Sequence, residues 1–395
     1  MTDPIPLPLK TVTAYAAEKG LRQQRLFGAS RVNSGEAHVV PQEDQAYYSP
    51  SRTYDSPAVT LTELRDVLVR ARSNLLTMRD AVLTHDLMNL ATDEPGEAVH
   101  KAGNLGWSTD FKRVGWRPHE PANEHPVGEA AAFTDWTAPN YAHWMTEVLP
   151  RIAALTRDPA HARTSLILDL QLHPNIRRSV ELIAPDRTVY RLRAGHVARV
   201  ARLHHVSATG YVPFKLRAGQ PLDSLPQSAF NAGALRHAVR QLRKAVDKPT
   251  GARPKVFIRR KSASRSLRNE AEVEAALTGE GFVPVEPEQL SLEDQVALFS
   301  TARMVVGATG AAMTNLIFCR EDCPIVVLMP RFRHTAYWYW RHMAAAAGSG
   351  PVVHVSGPQA DVHPEPWNPA ALHRDFSVDI EHVREGIARA AALTR

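Results

Sequence analysis

The sequence predicts an α/β protein of two facing Rossmann-like domains, preceded by an antiparallel β extension. Three observations predict it. Beyond residue 140, short apolar runs alternate with amphipathic stretches. From 255 onward that alternation settles into a regular β-α-β-α-β-α-β rhythm. Before it, the chain shows short alternating segments broken by Pro, Gly and Ser. Strand–helix alternation implies a mostly parallel sheet covered on both faces, and two such halves make a cleft between them.

The elements follow in order. Residues 1–60 are rich in Pro, Ser and Tyr and weakly patterned, whereas 61–86 read as an antiparallel meander. Residues 92–128 read as loop. A helix is expected over 140–155, a strand at 165–170, a helix at 175–183, and strands near 188–192 and 200–206. The best linker candidate is 213–226, followed by a long helix over 231–246. The second half places strands at 255–258, 282–285, 303–306 and 325–329. Asn269 with Glu272, and Ser291 with Asp294, are the pairings of a helix start. The amphipathic stretch 379–393 is expected as a helix that packs back across the domains. The resulting division is 1–125 for the β extension, 126–222 for the first Rossmann-like domain, 223–360 for the second, and 361–395 for the C-terminal segment.

Length and composition bound the function. A chain of 395 residues supports two domains of ordinary size, and 44% apolar with 22% charged residues describes a soluble globular protein. No apolar stretch approaches the roughly 20 residues of a spanning helix. The N-terminus lacks the basic-then-apolar order of a signal peptide. A cytoplasmic location is expected, with peripheral attachment to the inner face of a membrane left open. Cys319 and Cys323 read as reduced thiols, since a structural zinc site takes about four ligands. No D-x-D pair occurs, and His204 and His205 point to opposite faces of a strand, so no metal site is expected. The net charge of +6 is not laid out in stripes with interleaved aromatics, which argues against nucleic acid.

The densest chemistry lies between 253 and 329. Seven basic residues fall from Arg253 to Arg268, and no carboxylate interrupts them. Arg259 and Arg260 end one strand, with Arg265 close behind. The next strand but one runs into the turn Gly307 to Gly310 and a helix. Guanidinium groups and the N–H groups of a helix start are two ways to hold a diphosphate. Arg259, Arg260 and Arg265, with Thr309, Gly310 and Ala311, are therefore the phosphate candidates, and Asn315 secures the turn or touches the ligand. Because Arg259 and Arg260 are adjacent, one of them points at the ligand. An NAD fingerprint is the rival reading of the turn. Met313 stands where its third glycine belongs, and no acidic residue follows about 20 positions on.

The segment 140–151, with Asn140, His143, Trp144, Glu147, Leu149, Pro150 and Arg151, resembles the N-x-x-H-W-x-x-E-x-L-P-R signature of glycosyltransferase family 61 in its bacterial form. Arg259, Arg260, Arg265, Leu267, Asn269 and Glu270, then 290–299 and 307–315, follow in that family's order. The resemblance implies a GT-B fold, with acceptor bound mainly by the first domain and a nucleotide-sugar donor by the second; a UDP-linked donor is expected. It also implies metal-independent inverting transfer to a glycan acceptor without a cofactor, and it marks Gln295 as a donor contact. A base is then needed. His143 and Glu147 share a helix face with Asn140. Glu147 is the first choice, with His143 orienting it or bonding a sugar, and the reverse assignment stays open. Pro150 leaves the Thr146 carbonyl unbonded, which predicts a kink after Glu147. The alternatives are an NAD(P)-dependent sugar-nucleotide oxidoreductase or epimerase, and a non-catalytic glycan- or nucleotide-binding protein.

Overall fold

The structure is a computed structural model and describes residues 6–47, 53–90, 105–107, 112–116, 119–212, 228–246, 253–260, 265–331, 339–360 and 374–394. The linker expected at 213–226 lies outside the described residues. The fold is mixed α/β and divides into two compact units, Met1–Ser30 with Ser56–Ala238, and Arg31–Asp55 with Val239–Arg395. The division falls inside the helix Ala232–Ala245, not at residue 223.

In the first unit, four parallel strands lie in the order Val189–Leu192, Ser165–Asp169, Glu124–Ala132, Val197–Val206. Counted along the chain this is 3-2-1-4. The order reverses between Glu124–Ala132 and Val197–Val206, and in open α/β sheets ligands bind beyond the strand carboxyl ends at such a reversal. Strand Val59–Arg70 pairs antiparallel with Val197–Val206, and Leu76–Thr77 and Val82–Thr84 continue the meander. The expected boundary at 125/126 is therefore absent. Leu64, Val67 and Val69 face their partners Leu203, Val200 and Ala198 in one core, so the meander and the parallel strands share a single sheet. Each buried Val or Leu there contributes about 1.5–3 kcal/mol, which a separate extension would forgo.

In the second unit, six strands are all parallel, in the order Phe282–Val285, Lys255–Ile258, Met304–Ala308, Ile325–Pro330, Val352–Gly357, His38–Val40. Along the chain the first five read 2-1-3-4-5. The reversal lies between Lys255–Ile258 and Met304–Ala308. Every residue of Ile325–Pro330 is buried, as befits a strand covered on both faces. The sixth strand comes from the N-terminal segment, which sequence reading assigned to a separate extension. The C-terminal helix Ile380–Ala392, expected to pack back across the domains, packs on this sheet instead. Val383 and Ala390 join Val326, Val353 and Val355 in its core. A Cβ at Gly386 would lie 2.5 Å from Val355, so glycine sets that close approach. Among the described residues no helix is long and apolar enough to cross a membrane.

Candidate active site

The first unit's chemistry is carried by a helix that changes its winding. Tyr141–His143 is α-helical, Trp144–Val148 is a π-turn, and Leu149–Thr156 is α-helical again. Asn140 starts it, its Oδ1 accepting from the Ala142 N–H at 2.9 Å. It is thus the helix cap. Pro150 has no N–H to offer the Thr146 carbonyl. The chain meets this with the π-turn, in which the Leu149 N–H donates to the Trp144 carbonyl, where the sequence predicted a kink. Chain entering from Gly210 closes on the turn. A Cβ at Gly210 would lie 2.5 Å from the Thr146 oxygen, and Thr209 Oγ1 donates to the Glu147 carbonyl at 3.3 Å.

That winding brings His143 Nδ1 to 2.5 Å from Glu147 Oε1, with both side chains largely buried, 8% and 13% exposed. Burial raises the Glu147 carboxyl above its ordinary range, against the opposing pull of His143 and of the Val212 N–H. Burial alone would lower His143, but the Glu147 carboxylate outweighs it and holds the imidazole above its usual value. A buried carboxyl held above its ordinary range, hydrogen-bonded to an imidazole that stabilises its ionised form, suits a general base. Trp144 is fully buried and donates to Ser179 Oγ at 2.8 Å.

Glu147 opens on a cavity of ≈ 60 Å³ at the strand-order reversal, lined also by Asn74, His85, Asp135, Arg151 and His205. Asp135, just past strand Glu124–Ala132, accepts from Thr137 N–H and Oγ1 at 2.8 and 2.7 Å and from Asn74 Nδ2 at 3.0 Å. Arg151 Nε donates to the Val206 carbonyl at 3.0 Å, and burial lowers this guanidinium to about 10. Burial likewise lowers His85 to about 4 and His205 to about 3, so both rings are neutral. Of these, sequence reading marked only Arg151, as part of the signature. His205 was legible as the opposite face from His204, which meets Glu129 at 2.7 Å and the His161 ring at 4.5 Å. His85 carried no signal, because its place depends on pairing across the whole sheet.

In the second unit the phosphate candidates divide. Arg259 turns to Glu274 and Glu286, at 2.9 and 3.4 Å. Arg260 instead lies on the glycine turn, where a Cβ at Gly310 would be 2.3 Å from its Nη1. Its backbone N–H is fixed by Glu270 Oε1 at 2.8 Å. Arg265, in the left-handed region at φ 55°, and Arg260 both act on Tyr339, which hydrogen-bonds with Thr309 and Arg265 and which burial holds above the ordinary phenol range. Thus Arg260, Arg265 and Gly310 converge at the second reversal, with Tyr339 added. The helix after the turn, Ala311–Phe318, is a 3₁₀ helix, and Ala311 at its start is exposed. Its first N–H groups have no intrahelical partner.

Thr309 and Gln295, expected as ligand contacts, are buried, and Asn315 takes the alternative of securing the turn. Thr309 is fully buried and accepts from Trp340 Nε1 at 3.1 Å, so it supports the turn from beneath. Gln295 and Asn315 are buried and bonded to each other, Nδ2 to Oε1 at 3.0 Å, and Gln295 also reaches the Leu290 carbonyl at 3.2 Å. They tie the helix Leu292–Thr301 to the 3₁₀ helix. Met313, where an NAD fingerprint has glycine, is buried and packs its sulfur on Gly307. Cys319 and Cys323 are buried and free. Among the described residues no group of His, Cys, Asp and Glu could hold a metal ion. A larger cavity of ≈ 620 Å³ in the first unit, lined by Lys19, Arg22, Glu63 and His161 among others, contains none of the expected site residues.

Residues 141–326 match the family model described as Glycosyltransferase 61. No curated protein matches the chain.

Proposed function

From a chain that carries a glycosyltransferase 61 domain, and is therefore a glycosyltransferase, we propose transfer of a monosaccharide from a UDP-linked sugar to a hydroxyl of a cell-surface glycan. The displacement is inverting and metal-independent, and the architecture is GT-B, with acceptor on the first unit and donor on the second. The observation that supports this reading most is the pairing of topology with chemistry. One strand-order reversal carries His143 and Glu147, and the other carries Arg260, Arg265 and the Gly310 turn.

In this reading Glu147 takes the proton of the acceptor hydroxyl as that oxygen bonds to the anomeric carbon. The bond from that carbon to the diphosphate breaks on the opposite side, and the nucleoside diphosphate leaves with the electron pair. Arg260, Arg265 and the N–H groups of Gly310 and Ala311 offset the growing negative charge. His143 holds Glu147 in position and stabilises it while ionised.

The test is Glu147→Gln, which keeps the shape and removes the base. UDP affinity by calorimetry should stay within about threefold while kcat falls roughly 10²–10⁴-fold, the usual range for a lost general base. Turnover near the wild-type value would remove Glu147 from the role. A protein that binds UDP yet releases none from any UDP-sugar would instead support a non-catalytic binding protein.

A further inference from the structure

Three side chains around the first unit's cavity keep hydrogen-bonding capacity that the other described residues do not use. His205, 6% exposed, buries Nε2, and the part-buried His85 buries Nδ1, and among the described residues neither atom has a hydrogen-bond partner. Arg151 is 8% exposed, and among the described residues its one hydrogen bond runs from Nε to the Val206 carbonyl. A buried polar atom left unpaired costs about 1–3 kcal/mol. Native folds therefore rarely leave several together unless something else completes them. All three line the same cavity as the Glu147 carboxylate.

Size and charge narrow the guest. The cavity's ≈ 60 Å³ admits a few water-sized oxygen groups, at about 10–15 Å³ for each. The lining sets two carboxylates, Asp135 and Glu147, against the one guanidinium of Arg151, so a phosphate or carboxylate would meet an excess of acidic groups. Hydroxyls fit better. Each can donate to Glu147 or to an imidazole nitrogen, and each can accept from Arg151 or from an imidazole N–H. Both imidazoles stay neutral through the working range of pH, so each retains one donor and one acceptor.

We infer that the cavity is a subsite for a vicinal diol of the acceptor. One hydroxyl meets Glu147 and becomes the nucleophile, while its neighbour on the same sugar is held by His205, His85 and Arg151. This rests on the reading of Glu147 as base. It selects a saccharide acceptor with adjacent free hydroxyls. The single hydroxyl of a serine or threonine side chain would leave the imidazoles unpaired. Sites built to bond a hydroxyl discriminate strongly against analogues that lack it.

The experiment measures UDP release by the full chain from UDP-glucose, UDP-galactose, UDP-N-acetylglucosamine and UDP-xylose. The acceptors are methyl glycosides of glucose, galactose, mannose and xylose, their monodeoxy forms, and N-acetylserinamide. A glycoside should accelerate release about tenfold or more over water, and N-acetylserinamide should not. Loss of the hydroxyl adjacent to the reacting one should raise the acceptor KM about tenfold or more. His205→Phe and His85→Phe should raise the parent glycoside's KM by a similar factor with kcat within about threefold, and should abolish the difference between parent and deoxy forms. His205→Gln should recover part of it. The subsite is overturned if N-acetylserinamide serves as well as a glycoside, if no glycoside accelerates release, or if parent and deoxy acceptors share one KM in the wild-type protein. That last comparison needs no variant to fold. Glu147→Gln with undiminished kcat would overturn the base while leaving the KM pattern intact, so the two ideas fail separately.

Discussion

At the scale of single residues, Gly310 and Arg260 make one device. The guanidinium lies where a side chain on residue 310 would be, with the hypothetical Cβ 2.3 Å from Nη1. Gly310 itself is extended, at φ 167° and ψ 170°, so backbone strain is not what requires glycine. The requirement is space for the arginine. Gly310→Ala should therefore displace the flexible end of Arg260 at little cost to stability, while weakening UDP binding. Arg260→Ala should weaken it by roughly 10–100-fold, the worth of a charge-assisted hydrogen bond at about 1.5–3 kcal/mol. Calorimetry with UDP and a thermal melt on both variants check this. Unchanged UDP affinity in both would remove the Arg260–Gly310 pair from the phosphate site.

At the scale of elements, the π-turn and the chain that closes on it must be read together. Gly210 faces the Thr146 carbonyl and the Phe230 ring, at 2.5 and 3.0 Å from its would-be Cβ, and backbone cannot yield as a side chain can. Gly210→Ala should cost about 1–3 kcal/mol in stability, as overpacking does. It should also cost activity at temperatures where the protein remains folded, because the segment carries the Val212 N–H away from Glu147. Full specific activity in the folded variant would deny the coupling. A second element-scale device lies at the end of strand Ser165–Asp169. Asp169 accepts from the Arg72 and Asp135 N–H groups at 2.5 and 3.0 Å, yet burial pushes its carboxyl up to about 7. A pKa raised on folding means that the folded state holds a proton which the unfolded chain releases near pH 4. Stability should then fall as pH rises from about 4 to about 7, by at most about 1.4 kcal/mol per pH unit. Urea melts at pH 5 and 7.5 should show this loss in the wild-type protein and a smaller one in Asp169→Asn, where Glu147 and His143, both raised on folding, still contribute. A loss toward acid instead would mean that the two N–H bonds keep the carboxylate ionised. The sequence made Pro150, Glu147 and the helix legible, because those are local facts. It hid Gly210 and Asp169, whose partners Thr146, Arg72 and Asp135 each lie more than thirty residues away.

For the whole molecule, legibility follows the range of the interactions. The second unit's strands were readable from their apolar runs, and their parallel pairing followed from the intervening helices. The strand His38–Val40 was not, because it joins Val352–Gly357 across some three hundred residues and nothing local marks its destination. Likewise Val59–Arg70 looks like the start of an independent meander until Val197–Val206 pairs with it. Among the described residues the two large sheets each have their own reversal of strand order, and the proposed chemistry divides between them. That division is testable without a structure of a complex. Saturating UDP, at about 100 times its Kd, stabilises the folded state it binds by about 2.7 kcal/mol, which slows hydrogen exchange through the openings it opposes roughly a hundredfold. If the donor belongs to the second unit, that protection should concentrate at 255–260 and 304–312. The amides of 59–70 and 197–206, in the first unit's sheet, should exchange as they do without UDP. Protection centred on the first unit's strands would mean that the arginines and the glycine turn do not form the nucleotide site.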